Sequence, residues 1–304
     1  MLESLYFWKN KGGNMSGVKL LLILAVFLLL LCAGGAGGWY YFIKLPAQKA
    51  QEEALARQRQ AAEKLQNDIS AVNAFYAKSL EGAALKQGIR LLAEIRSSRE
   101  SLSILAIKRE SFKCDAKNCT FGYDYQPGEL LILPQKTFWG KSYKASVTVS
   151  KKKDKSNKKS DFEYKGIESR LNGNTLQLLY KSKKKLDLYP CDKVISYVLT
   201  YDSFVKNSRR DSKGKGTGEI VIKGMPKSSV SDLESQLTGK VKAYGLMAGT
   251  WELELNGKSK RVDDSTLNLQ VMLYQQAYND AFLIKRIEST NKGIKVSGGL
   301  VCKV

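Results

Sequence analysis

Hydrophobic and polar positions change rhythm several times along the chain. From Leu20 to Ile43 the residues run LLLILAVFLLLLCAGGAGGWYYFI without a charge. As a helix this stretch reaches about 36 Å at ~1.5 Å per residue, enough for a hydrocarbon core of about 30 Å. Trp39, Tyr40 and Tyr41 close it, where aromatic rings favour a membrane interface. A cleaved signal peptide is the alternative, with Leu20 to Leu31 as its apolar part and the small residues after Cys32 as a cleavage region. The hydrophobic run resumes after the glycines, which an uncleaved anchor needs and a spent cleavage site does not.

Beyond Pro46 the pattern turns helical and polar. Leu55, Ala62, Ile69 and Tyr76 fall seven apart, with Leu65 and Val72 at the offset-by-three positions. This spacing predicts a short coiled-coil seam of about three heptads. Gln58 and Ser79 interrupt it, so pairing along it needs support from neighbouring segments. Gly34 and Gly38, four apart, supply such support by letting two membrane helices approach closely. The plainer reading of the same stretch is a solvated amphipathic stalk.

A further helix over 83–105 carries Leu85, Ile89, Leu92 and Ile95 on one face. From Ile104 the rhythm is strand-like, through TFGYDY, ELLIL, YKASVTVS, NTLQLLYKS, KVISYVLTYDSFV and TGEIVIKG. Their Val, Ile, Tyr and Thr content predicts antiparallel sheet. Gly224-Met225-Pro226 punctuates a boundary, followed by a helix over 231–242 with Leu233 and Leu237 inward. Strands are expected around 251–255, 267–274, 282–289 and 294–303, the last two joined by a turn at Thr290-Asn291-Lys292-Gly293. The fold class expected is therefore α+β. A cytoplasmic tail (1–19), a transmembrane helix (20–43) and a coiled-coil stalk (44–82) lead into an antiparallel-sheet head. The head comprises a first α+β region at 83–225 and a ferredoxin-like subdomain at 226–304.

Charge and composition narrow the chemistry. The 304 residues hold 50 Lys and Arg against 29 Asp and Glu, a net charge of +21, and no histidine. Histidine triads, histidine bases and histidine-ligated zinc are thereby excluded. The basic excess lies beyond the apolar run, much of it at 151–159, 181–185 and 209–215; the first and third of these read as long hairpin tips. Basic residues flank the span on both sides, so the positive-inside rule does not set its orientation. Cysteine usage points to an oxidising compartment. Apart from Cys32 there are Cys114, Cys119, Cys191 and Cys302, an even set suited to two disulfides, with three connectivities open. Cys114 and Cys119 have the spacing of a turn between two strands, which would leave Cys191 for Cys302. A four-cysteine zinc site is disfavoured because the last two cysteines stand alone in sequence.

The remaining motifs carry no chemistry. Gly214, Gly216 and Gly218 precede a strand and lack phosphate-loop spacing. Ser-x-x-Lys recurs, as chance delivers in a lysine-rich chain, without its companion motifs. No acidic cluster has metal-ligand spacing, and no catalytic residue, cofactor or metal is expected.

The layout of tail, single membrane helix, stalk and α+β head resembles bitopic inner-membrane accessory proteins of type IV pilus and type II secretion machines. The local resemblance is to PilO-like proteins of type IVb pili, carried by FKCDAKNCTFGYDYQPGEL (112–130) and by the terminal FLIKRIESTNKGIKVSGGLVCKV. It implies a non-enzymatic structural subunit, with its N-terminus in the cytoplasm and its head in the periplasm. Stalk and head would pair with a sister inner-membrane protein, in a hetero- or homodimer, linking the cytoplasmic platform to the periplasmic machinery. No nucleic-acid partner is implied. Leu55, Ala62, Leu65, Ile69, Val72 and Tyr76 are the candidate partner-binding residues, and Gly34 and Gly38 the candidate membrane-packing ones. The alternative is a membrane-anchored binding module whose basic loops contact anionic lipid, cell-wall polymer or an acidic protein.

Overall fold

Strands drawn from between Ile107 and Lys303 build the sheet that organises this protein. A computed structural model describes residues 17–39, 44–102, 107–125, 134–147, 162–208, 218–256, 262–274, 278–290 and 293–304. They divide into two units, Met1–Asn67 and Asp68–Val304.

The first unit holds helix α1 (Gly17–Trp39) and most of α2 (Leu45–Ser79). The described leucines of α1 are exposed, from Leu21 at 71% to Leu31 at 62%. Among the described residues no helix is long and apolar enough to cross a membrane. Residues 40–43 of the expected span, and the surroundings of Gly34 and Gly38, lie outside the described residues.

The second unit is α+β with a large antiparallel sheet. After α3 (Leu85–Leu102) come β1 (Ile107–Asp115), β2 (Asn118–Tyr125), β3 (Gln135–Phe138), β4 (Lys141–Lys144), β5 (Ser146–Val147) and β6 (Phe162–Glu168). There follow α4 (Thr175–Lys181), α5 (Cys191–Ser208), β7 (Ile220–Lys227), α6 (Ser231–Gln236), β8 (Leu246–Asn256), α7 (Val262–Tyr274), β9 (Phe282–Ser289) and β10 (Gly293–Lys303). Eight strands form one sheet in the order β5-β6-β2-β1-β9-β10-β8-β7, and β3 and β4 form a separate hairpin. The expected boundary at 225/226 falls inside β7. The sheet also joins the regions on either side of it, because β1 pairs with β9.

Residues of α3, α5 and α7 share a single core with one face of the sheet, including Leu92, Ile95, Val198, Tyr201, Leu269 and Met272. Trp251 of β8 is fully buried there, and its indole N–H reaches the carbonyls of Gly299 (3.1 Å) and Leu283 (3.3 Å). At Gly298 a Cβ would lie 1.7 Å from the Leu283 carbonyl oxygen, so only glycine allows β9 and β10 to meet beside their register shift. Part of the other face is charged. Glu254, Lys295, Glu288 and Lys113 are successive register partners across β8, β10, β9 and β1. Opposite charges directly across strands stabilise such a solvent face. Lys295 also bonds Glu252 at 2.8 Å, which with the nearby carboxylates raises its pKa.

Several sequence expectations are corrected. The stretches 174–182, 193–205 and 267–274 were expected as strands and are helices α4, α5 and α7. In α5 the β-branched residues conceal a helical spacing: Val194, Val198, Tyr201 and Val205 are the buried ones. The basic run at 209–215, expected as a hairpin tip, comes after α5 and before β7 and, like 148–161 and ELLIL, lies outside the described residues. The helix expected over 231–242 is the shorter α6, which ends at Gln236.

Candidate functional site

The expected partner-binding seam runs along α2, and the structure divides its residues. Positions 46–64 are exposed throughout, including Leu55 at 53% and Ala62. Leu65 and Ile69 are half-buried. Val72 and Tyr76 are buried at 0% and 1%, within the second unit. Both were expected to bind a partner, and both are enclosed by this chain's own residues.

The last turns of α2 are held by several side chains. The Tyr76 ring meets Tyr244 and Tyr180 edge-on, with centroids 5.2 and 5.9 Å away. Its hydroxyl accepts the Tyr244 backbone N–H at 3.3 Å. Beyond the helix end, the Asn174 side chain donates to the carbonyls of Leu80 and Gly82, each at 2.9 Å. The same side chain accepts the Gln177 N–H at 2.8 Å and so caps α4, the N-cap role asparagine favours. Lys285 of β9 donates to the Lys78 carbonyl at 3.1 Å, placing a cation at the negative end of the helix. Burial lowers the pKa of that ammonium, and nearby Glu81 opposes the effect. Ala83 and Ile284 exchange backbone hydrogen bonds of 2.8 Å, fixing the segment after α2 to the sheet. Asn174, Lys285 and the Ala83–Ile284 bridge were missed by sequence reasoning, since each joins residues far apart in the chain.

Both cysteine pairs are at bonding distance. Cys114 and Cys119 face each other across β1 and β2, with Cα atoms 4.1 Å apart. The turn between them is ordered by Asp115, whose Oδ1 accepts the N–H groups of Lys117 (2.8 Å) and Asn118 (3.0 Å). The bond from Asn118, with that from Lys117, holds the Asp115 carboxyl below the usual aspartate range. Cys191 begins α5 and joins Cys302 of β10, with Cα atoms 5.0 Å apart. Among the described residues no group of three or more His, Cys, Asp or Glu is arranged to hold a metal ion.

The basic run at 181–185 ends α4 and enters the following turn. Lys242 donates to the Lys183 carbonyl at 3.1 Å and the Tyr244 hydroxyl to the Lys184 carbonyl at 3.3 Å, so the backbone carrying these exposed lysines is held in place. Compared with known proteins, the chain matches no family model, no curated protein and no solved structure.

Proposed function

We propose that this protein is a non-enzymatic structural subunit of a type IVb pilus or related secretion assembly, anchored in the bacterial inner membrane through residues 20–43. Its stalk pairs with a sister inner-membrane protein and links the cytoplasmic platform to the periplasmic machinery. One observation carries this reading: the first half of α2 is exposed on every side, while the same apolar seam is buried at Val72 and Tyr76. A helix gains most of its stability from packing an apolar face, so an exposed segment with Leu55 and Ala62 in register calls for a partner. The exposed leucines of α1 support the anchor, because they need an apolar medium. Helices layered on one face of an antiparallel sheet support the ferredoxin-like reading of residues 226–304.

A topology reporter fused after Val304, combined with a non-reducing gel, tests the location. The expected result is an active periplasmic reporter and oxidised cysteines. An inactive periplasmic reporter with free thiols overturns the reading, since it would place the head in a reducing compartment.

A further inference from the structure

We propose that the cavity between the C-terminal part of α3 and the β3–β4 hairpin binds a neutral, polyhydroxylated ring, the pyranose unit of a glycan. The cavity has a volume of about 290 Å³. This is at the small end of ligand sites, which run from about 300 to 1,000 Å³, and suits a single ring.

Three separate features converge on it. The first is Trp139, in the turn between β3 and β4. Its φ of 49° is left-handed, and Gly140 follows at 80°. A hairpin turn of this kind favours Asn or Gly at both positions, and a bulky aromatic there is disfavoured by its Cβ. The indole is held by its neighbours, with the Phe121 and Phe138 ring centroids each 6.1 Å away. Its N–H donates to Glu94. The hairpin thus spends backbone strain to present an aromatic ring at the cavity wall.

The second feature is Glu94 itself. While Trp139 bonds its side chain, its Oε2 is buried without a hydrogen-bond partner. Burial raises the pKa of this carboxyl, against Arg170, the Trp139 bond and Arg90. The Glu94 side chain lines the cavity, where its carboxyl is an acceptor for a ligand hydroxyl.

Lys136 is the third. Its ammonium lies between the Tyr123 and Phe138 rings, 5.3 and 5.1 Å from their centroids, and bonds Ser98 Oγ at 2.8 Å. Burial lowers it to about 8, with Glu110 acting the other way. It can donate to a ligand oxygen.

Together these groups select the ligand. The carboxyl of Glu94 disfavours an anion and the Lys136 ammonium disfavours a cation. A hydroxyl both donates and accepts, so a ring bearing several of them satisfies both groups. The apolar face of a pyranose stacks on the indole.

Calorimetric titration tests the proposal. The full chain, in a detergent without a sugar headgroup, is titrated with tetramers of N-acetylglucosamine, of glucose and of a uronic acid. Saturable binding of a neutral tetramer is expected, weaker binding of the uronate, and a loss of about tenfold or more in Glu94→Gln and Trp139→Ala. Lys223→Ala, on the charged sheet face, should bind as the wild type does. Near-UV circular dichroism confirms folding, and Glu94→Gln remains informative if Trp139→Ala unfolds. No saturable binding, a preference for the uronate, or unchanged affinity in a folded Glu94→Gln overturns the proposal. Retention on insoluble chitin, lost in Glu94→Gln, would identify polymeric glycan as the source. Binding of the short oligomers alone would identify free saccharide.

Discussion

Asp115 shows how much one side chain contributes to the cysteine hairpin. Its carboxylate accepts two backbone N–H groups in the turn that lets Cys114 reach Cys119. Its pKa is lower in the folded chain than in the unfolded one. The stability it adds is therefore complete above the unfolded value of about 3.9 and is lost as pH falls through the lower folded value. Replacing Asp115 with Ala should cost about 1 kcal/mol at neutral pH. The difference between variant and wild type should shrink below about pH 4. Urea midpoints at pH 6 and pH 3 measure both quantities, and a difference independent of pH would show that the carboxylate charge is irrelevant. The cysteine spacing was legible in the sequence because strand pairing places such residues opposite each other. The two hydrogen bonds were not, since Asp, Lys and Asn in a turn are compatible with several conformations.

At the scale of elements, the staple between α5 and β10 joins residues 111 apart in sequence, against 5 for the hairpin pair. In the chain-entropy account, closing the longer loop stabilises by about 4–5 kcal/mol and the shorter by about 2. Cys191→Ser should accordingly lower stability more than Cys119→Ser does in non-reducing denaturation. An equal or smaller loss would mean that native contacts, rather than loop closure, govern the effect. Elements also mark where sequence patterns were ambiguous. β1 alternates where Cys114 and Phe112 face the core and Lys113 faces outward, whereas β9 and β10 are buried at consecutive positions over Phe282–Ile284 and Gly298–Cys302. α5 is rich in Val, Ile, Thr and Tyr, which favour strands, yet its buried positions repeat at three- and four-residue intervals. Packing against the sheet and a helix start just after Pro190 outweigh that local preference. Similarly, Trp139 gives no signal in sequence that it occupies a left-handed turn.

For the whole molecule, the described structure divides one seam into a buried part and an exposed part. Toward its C-terminal end, Val72 and Tyr76 pack into the head, with Asn174 and Lys285 fastening the chain beyond. Toward its N-terminal end, Leu55 and Ala62 stay exposed. The periodicity was visible in the sequence; the division was not, because Tyr180 and Tyr244, which enclose Tyr76, come from distant segments. A structural subunit of the proposed kind needs both, a seam end packed into its own head and a stalk surface left for another chain.

Co-purification with the other inner-membrane components of the assembly tests this claim most directly, comparing wild type with the double variant Leu55→Asp and Leu65→Asp. The account predicts that partner association is lost while near-UV circular dichroism and both disulfides remain unchanged. Undiminished recovery of the partner by a correctly folded double variant would contradict it.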